Sequence, residues 1–147
     1  MKKILVGLDG SDASINALAY AAKMAKFIGA EIIGVSVINE PPYKEYYADI
    51  SAKIKAEMEV FLTRAKTKFV SEGMPLTTQI FSGIPDEVLA DIARKDNDVV
   101  MIIVGASGKG RASRIFAGSQ TRALVNQSAS DLPCAVVVVN EECLKRI

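Results

Sequence analysis

The stretch Lys2–Ser14, KKILVGLDGSDAS, decides the fold. Lys2–Leu8 is a short apolar run that stops abruptly at Asp9-Gly10-Ser11-Asp12, the pattern of a buried strand entering a turn. Ser11 then stands where a helix N-cap belongs. Ile15, Leu18, Ala22 and Ala25 follow at helical spacing until Gly29 closes the segment. A strand that passes at once into an amphipathic helix is the opening half of a βαβ unit.

The rest of the chain repeats that alternation. EIIGVSVI (Glu31–Ile38) is a second strand, and NEPPYKEYYAD (Asn39–Asp49) reads as a connecting loop. Ile50, Ile54, Met58, Phe61, Ala65 and Phe69 then mark one helix face, with Gly73 as its stop. PLTTQIF (Pro75–Phe81) is a third, more polar strand. Ser82–Lys95 carries Pro85 near a helix start, with acids in its first turn and basic residues in its last. DVVMIIVG (Asp98–Gly105) is a fourth strand, and a helix is expected over about Ser113–Asn126. PCAVVVVN (Pro133–Asn140) is the last strand. Strands this continuously apolar have no wet face, so the pattern predicts a parallel sheet with helices on both sides. Residues 1–147 read as a single α/β domain.

Composition narrows the function. Lys and Arg total 18 against 17 Asp and Glu, so the net charge is +1 and no global basic footprint points to nucleic acid. Half of the residues are hydrophobic, yet no run approaches the roughly 18 apolar residues of a membrane helix. The apolar run at the N-terminus meets Asp9 too soon for a signal peptide. Cys134 and Cys143 are therefore expected as free thiols in a reducing cytoplasm. There is no histidine, which removes Ser-His-Asp and Cys-His catalysis and most zinc sites.

In open α/β sheets ligands bind beyond the carboxyl ends of the strands, where strand order reverses. Asp9 and Gly10 follow the first strand, Val37–Asn39 end the second, and Gly105–Gly110 follow the fourth. These converge on one crevice if the first and fourth strands are neighbours. The stretch Val104–Gln120, VGASGKGRASRIFAGSQ, adds Gly108 and Gly118 with a hydroxyl at Ser119. Bare backbone of this kind lets amides approach phosphate closely. Lys109, Arg111 and Arg114 are either solvated surface charge or phosphate-steering groups. GASGKGRA is not a P-loop, which needs Gly-Lys followed by Ser or Thr. GKGRAS lies too far past its strand for a dinucleotide fingerprint.

The spacing of Gly105, Gly108 and Gly118-Ser119 resembles the nucleotide-binding signature of the universal stress protein family. The likeness extends through ILVGLDGSDAS, GIPDEVLADIA and DLPCAVVVV, which together span essentially the whole chain. It implies an open, twisted, Rossmann-like sheet of five parallel strands in the order 3-2-1-4-5, and a homodimer. It also implies a bound adenine nucleotide (ATP, ADP or AMP), with Mg²⁺ or Mn²⁺ held mainly by the phosphates. By the resemblance Asp9 lies by the nucleoside and Val37 by the adenine. Gly105, Gly108, Gly118 and Ser119 hold ribose and phosphates, and the adjoining Gly7, Leu8, Gln120 and Thr121 complete the set. Several ATP-binding relatives carry proline where this chain has Gly7, a departure beside the adenine.

On the residues alone, Asp9 at its strand end is favoured as a ligand contact over a turn former or N-cap beside Ser11. Val37 is a core strand residue whose adenine contact would come largely from its backbone. A regulatory binding module is favoured over a slow ATPase or phosphotransferase. Phosphoryl transfer needs a metal and a group that positions the nucleophile, and Asp9 is the one carboxylate the pattern places in the crevice. A nucleotide-independent stress-associated dimer is the third reading. The edge formed by CAVVVV predicts pairing of the last strand with its copy. No membrane or nucleic-acid partner is expected, and any protein partner is unnamed by the sequence.

Overall fold

The computed structural model describes residues 1–38, 44–106, 122–127 and 131–147. Its strands are β1 (Lys2–Gly7), β2 (Ala30–Ile38), β3 (Leu76–Ser82), β4 (Val99–Gly105) and β5 (Ala135–Val139). They form one sheet in the order β3-β2-β1-β4-β5, every neighbouring pair parallel. The helices are α1 (Asp12–Ile28), α2 (Lys44–Ser71), α3 (Pro85–Lys95), α4 (122–127) and α5 (Glu141–Leu144).

Strand order grows leftward from β1 and then rightward from it. Right-handed crossovers therefore carry α1 and α2 to one face and α3 and α4 to the other. Hydrogen bonds tie the second pair together: Gln127 Nε2 donates to Asp86 Oδ2 at 3.0 Å, and Arg94 reaches Gln127 Oε1 at 3.1 Å. The central strands are buried on both sides, as their composition requires. Ile4, Leu5, Val6, Ile102, Ile103 and Val104 have no exposed surface.

α1 follows the chain chemistry closely. Ser11 caps it, accepting from the Ser14 amide at 3.1 Å, and Gly29 ends it in the left-handed conformation. Its buried residues are Ser14, Ala17, Leu18, Ala21 and Ala25, so Leu18 and Ala25 lie where expected while Ile15 and Ala22 are only half-buried. α2 begins earlier than the sequence pattern predicted. Lys44–Asp49, expected as loop, is helical, and polar residues in a first turn carry no period to betray it. The remainder of that expected loop, Asn39–Tyr43, lies outside the described residues, as does the 113–121 part of the expected fourth helix. Further along α2, Met58, Ala65 and Phe69 are buried as anticipated, joined by Leu62, while Phe61 is only half-buried.

Candidate functional site

The sheet's order reverses at β1, whose two neighbours β2 and β4 leave in opposite directions. Pairing of β1 with β4 runs to Val6↔Ile103, and pairing with β2 runs to Gly7↔Val35. The carboxyl ends of β1, β2 and β4 therefore open side by side, as ligand sites in open sheets require.

The exit of β1 is held rigidly. The Leu8 amide donates to the Val35 carbonyl at 2.8 Å, and the Leu8 carbonyl accepts from Ser36 Oγ at 2.7 Å. Ser36 has no exposed surface, so its hydroxyl settles a buried carbonyl that would otherwise be costly. The Leu8 side chain is itself wholly buried and lies over Gly34, where an added Cβ would stand 2.6 Å from Leu8 Cδ1. Burial of this leucine contributes about 1.5–3 kcal/mol. Of the resemblance set, then, Leu8 is a core residue that offers the crevice backbone only. Val37 is the same kind of residue: it is fully buried and paired with Phe81.

Asp9 emerges next and is partly exposed. Its Oδ1 accepts from the Ser11 amide at 2.9 Å and also from the Ser11 hydroxyl. Ser11 Oγ in turn accepts from the Ser14 amide, so its single proton and its acceptor role are both committed. The turn reading of Asp9 is thus correct for one carboxylate oxygen. Oδ2 accepts no hydrogen bond from the described residues. Gly10 follows with φ of +85°, a conformation that a side chain rarely adopts, and it bends the chain from strand to helix within a few residues.

Gly105 ends β4 beneath the first turn of α1. An added Cβ there would stand 2.3 Å from the Ala13 carbonyl oxygen and 2.9 Å from Ala13 Cβ. The glycine is therefore required by close helix–sheet approach, and its absent side chain brings the α1 N-terminus directly over the β4 exit. Beyond it, the Ala106 amide donates to the Val139 carbonyl at 2.7 Å.

The structure thus brings Gly7, Leu8, Asp9 and Gly105 to one mouth, with Val37 alongside. Gly108, Gly118, Ser119, Gln120 and Thr121 lie outside the described residues. Ser36 and Ala13 were missed by sequence reasoning. The signal for Ser36 was a lone hydroxyl within the run Ile32–Ile38, which is otherwise without polar side chains; that for Ala13 was a small residue in the first helical turn. No three His, Cys, Asp or Glu side chains among the described residues gather into a metal site.

An open parallel sheet with its crevice at the reversal point defines an α/β protein of the Rossmann-like, doubly wound class. Residues 1–140 match the model of the universal stress protein family, and the chain belongs to that family. It is 28% identical over 145 residues to universal stress protein MJ0531 of Methanocaldococcus jannaschii, a match covering 95% of this chain and 82% of that protein. Among solved structures, universal stress protein UspA of Lactobacillus plantarum superimposes with a TM-score of 0.78 at 24% identity, covering 95% and 97% of the two chains. Two others superimpose over 95% of this chain. A universal stress protein of Archaeoglobus fulgidus in complex with dAMP does so with a TM-score of 0.66 at 20% identity and 98% coverage of its own chain. A universal stress protein in complex with cAMP does so with a TM-score of 0.64 at 18% identity and 97% coverage of its own chain. At these identities the superpositions establish the shared fold.

Proposed function

We propose that this chain is a regulatory module that binds an adenine nucleotide, with ATP foremost, in the crevice at the carboxyl ends of β1 and β4. The observation that carries the proposal is Asp9. One carboxylate oxygen holds the turn, while the other stands at the mouth as an acceptor without a protein donor among the described residues. A ribose hydroxyl is a donor of the right kind for it. The dAMP and cAMP complexes of the two structural neighbours support an adenine ligand. Gly108, Gly118, Ser119, Gln120 and Thr121 are assigned to the phosphate end, with Gly7 and the Val37 backbone on the adenine side. With no protein cage among the described residues, Mg²⁺ or Mn²⁺ would take its ligands from phosphate oxygens and water.

The module is further proposed to act in the cytoplasm as a homodimer paired through β5, its nucleotide state biasing assembly or the choice of a protein partner. Among the described residues no helix is long and apolar enough to cross a membrane.

Calorimetric titration with ATP, ADP, AMP and adenosine, with and without EDTA, tests the reading. Saturable binding of ATP that weakens when EDTA is added is the expected result; no heat with any of the four at millimolar concentration overturns it. Ser119→Ala removes one hydrogen bond to a charged group, about 1.5–3 kcal/mol, and should weaken ATP binding roughly 10- to 100-fold while leaving adenosine unchanged. Equal loss of both ligands would refute the phosphate assignment.

A further inference from the structure

At the far edge of the sheet from β5, α2 and β3 enclose a groove of about 600 Å³ lined by Thr63, Lys66, Thr67, Val70, Ser71 and Thr78. We infer that this groove, together with the edge of β3 beside it, receives an extended acidic segment of a partner protein by strand addition.

Three observations converge on that occupant. First, among the described residues β3 pairs only with β2, and its sequence, LTTQIFS, contains neither charge nor proline. Its register with β2 is unbroken from Ile32↔Leu76 to Ile38↔Ser82, so no bulge twists the edge away. Charge, proline and bulges are among the devices that ordinarily protect an edge strand, and β3 carries none of these three. An edge left this open is a template for main-chain hydrogen bonds.

Second, the wall above the edge has one sign of charge. From residue 60 to residue 71 α2 carries Arg64, Lys66 and Lys68 and no acid. All three cations are exposed, and none has an ion-pair partner among the described residues. Lys66 lines the groove itself. A strand laid along β3 would meet this field, and an acidic one would be favoured.

Third, the lining alternates in character. Leu76 is buried and Thr78 half-buried on the face of β3 that α2 covers, while Val70 is 54% exposed. Of the four hydroxyls, those of Thr63 and Ser71 already donate to the Glu59 and Lys68 carbonyls, at 2.8 and 2.7 Å. Thr67, Thr78 and the Lys66 ammonium remain as groove donors. An added strand has period two, so every second side chain would face α2, and carboxylates at those positions would meet Lys66 and the threonines. This site is separate from the proposed nucleotide crevice, and its success or failure leaves that reading untouched.

The test uses a fluorescein-labelled peptide of alternating valine and glutamate, its valine–lysine counterpart, and a valine–glutamate peptide with alternate amides N-methylated. At low ionic strength the glutamate peptide should bind about tenfold tighter than the lysine peptide, and Lys66→Glu should reverse that order. N-methylation removes the ladder donors and should abolish binding. Hydrogen exchange should show new protection confined to Thr77–Ile80. Equal binding of the N-methylated peptide, an unchanged preference in Lys66→Glu, or protection at β5 would each overturn the proposal. So would β3 protection that rises with protein concentration alone, since the occupant would then be a second copy of this chain.

Discussion

Replacing Asp9 by asparagine or by alanine separates two tasks, because only one of its oxygens is spent on the turn. Asparagine keeps an oxygen for the Ser11 amide and hydroxyl, so the α1 entry should survive and the melting temperature should hold. Alanine removes the turn acceptor as well and should cost about 1 kcal/mol, the size of a lost cap. Both should weaken ATP binding, roughly 10- to 100-fold for alanine, by loss of a charged acceptor. Thermal melts alongside titrations would show the split; unaltered affinity in both variants would leave Asp9 as a turn former only. Gly105→Ala is the complementary case. Its Cβ would stand 2.3 Å from the Ala13 carbonyl oxygen, a backbone atom that moves only with α1. Overpacking of this kind costs about 1–3 kcal/mol, which at this chain length is a fall of roughly 2–12 °C in melting temperature. A melting temperature equal to the parent's would mean that α1 shifts freely above β4.

At the scale of elements, the parts legible in the sequence are those whose signals are local. Ser11 and Gly29 delimit α1, and Pro85 with its acids opens α3, because caps and first-turn residues act on their own backbone. The start of α2 was not legible, since Lys44–Asp49 has no apolar period, and α5 went unread. Its signal was present: Asn140 accepts from the Cys143 amide at 3.2 Å, with Glu141 and Glu142 in the first turn. Contacts between distant segments were also hidden, as at Ser36 with Leu8, Ala13 with Gly105, and Lys3 with Asp96. The last of these makes a prediction. Lys3 Nζ meets Asp96 Oδ2 at 2.7 Å, tying β1 to the turn before β4. The Lys3 hydrogen bond holds the Asp96 carboxyl below its ordinary value of 3.8, helped by the Asp98 amide. The same hydrogen bond raises Lys3 above 10.5. A depressed acid stabilises the fold above its unfolded value and loses that contribution as pH falls through the folded one; a raised base does the reverse on the alkaline side. The pair therefore stabilises between about pH 4 and pH 10. Asp96→Asn keeps an oxygen for the Asp98 amide and should flatten the decline in stability below pH 4. Urea denaturation from pH 2.5 to 6 would reveal it, and an unchanged acid limb would mean that other carboxylates govern it.

For the whole molecule the decisive feature is that the sheet's two edge strands, β3 and β5, differ in character. β3 lies beside a basic helix wall, whereas β5 is nearly pure valine, with Val138 37% exposed and Val136 and Val137 partly so. A neutral, aliphatic edge matches itself, and two copies related by a two-fold axis would bury it without unbalanced charge. The proposed dimer should therefore persist in high salt, because apolar contact is not screened as charge pairs are. Light scattering should give twice the 15.8 kDa chain mass at micromolar concentration. Val138→Lys places a cation on the edge where its partial exposure lets the monomer tolerate it, and the two-fold axis brings the copies' lysines close together. Like charges facing across an interface cost several kcal/mol, so dissociation should rise about 100-fold or more, with the monomer still folded by circular dichroism. Thr77→Lys puts the same charge on the exposed side of β3 and should leave the dimer intact. A monomeric parent protein, or a dimer broken by the β3 lysine and not by the β5 lysine, would assign self-association to the wrong edge.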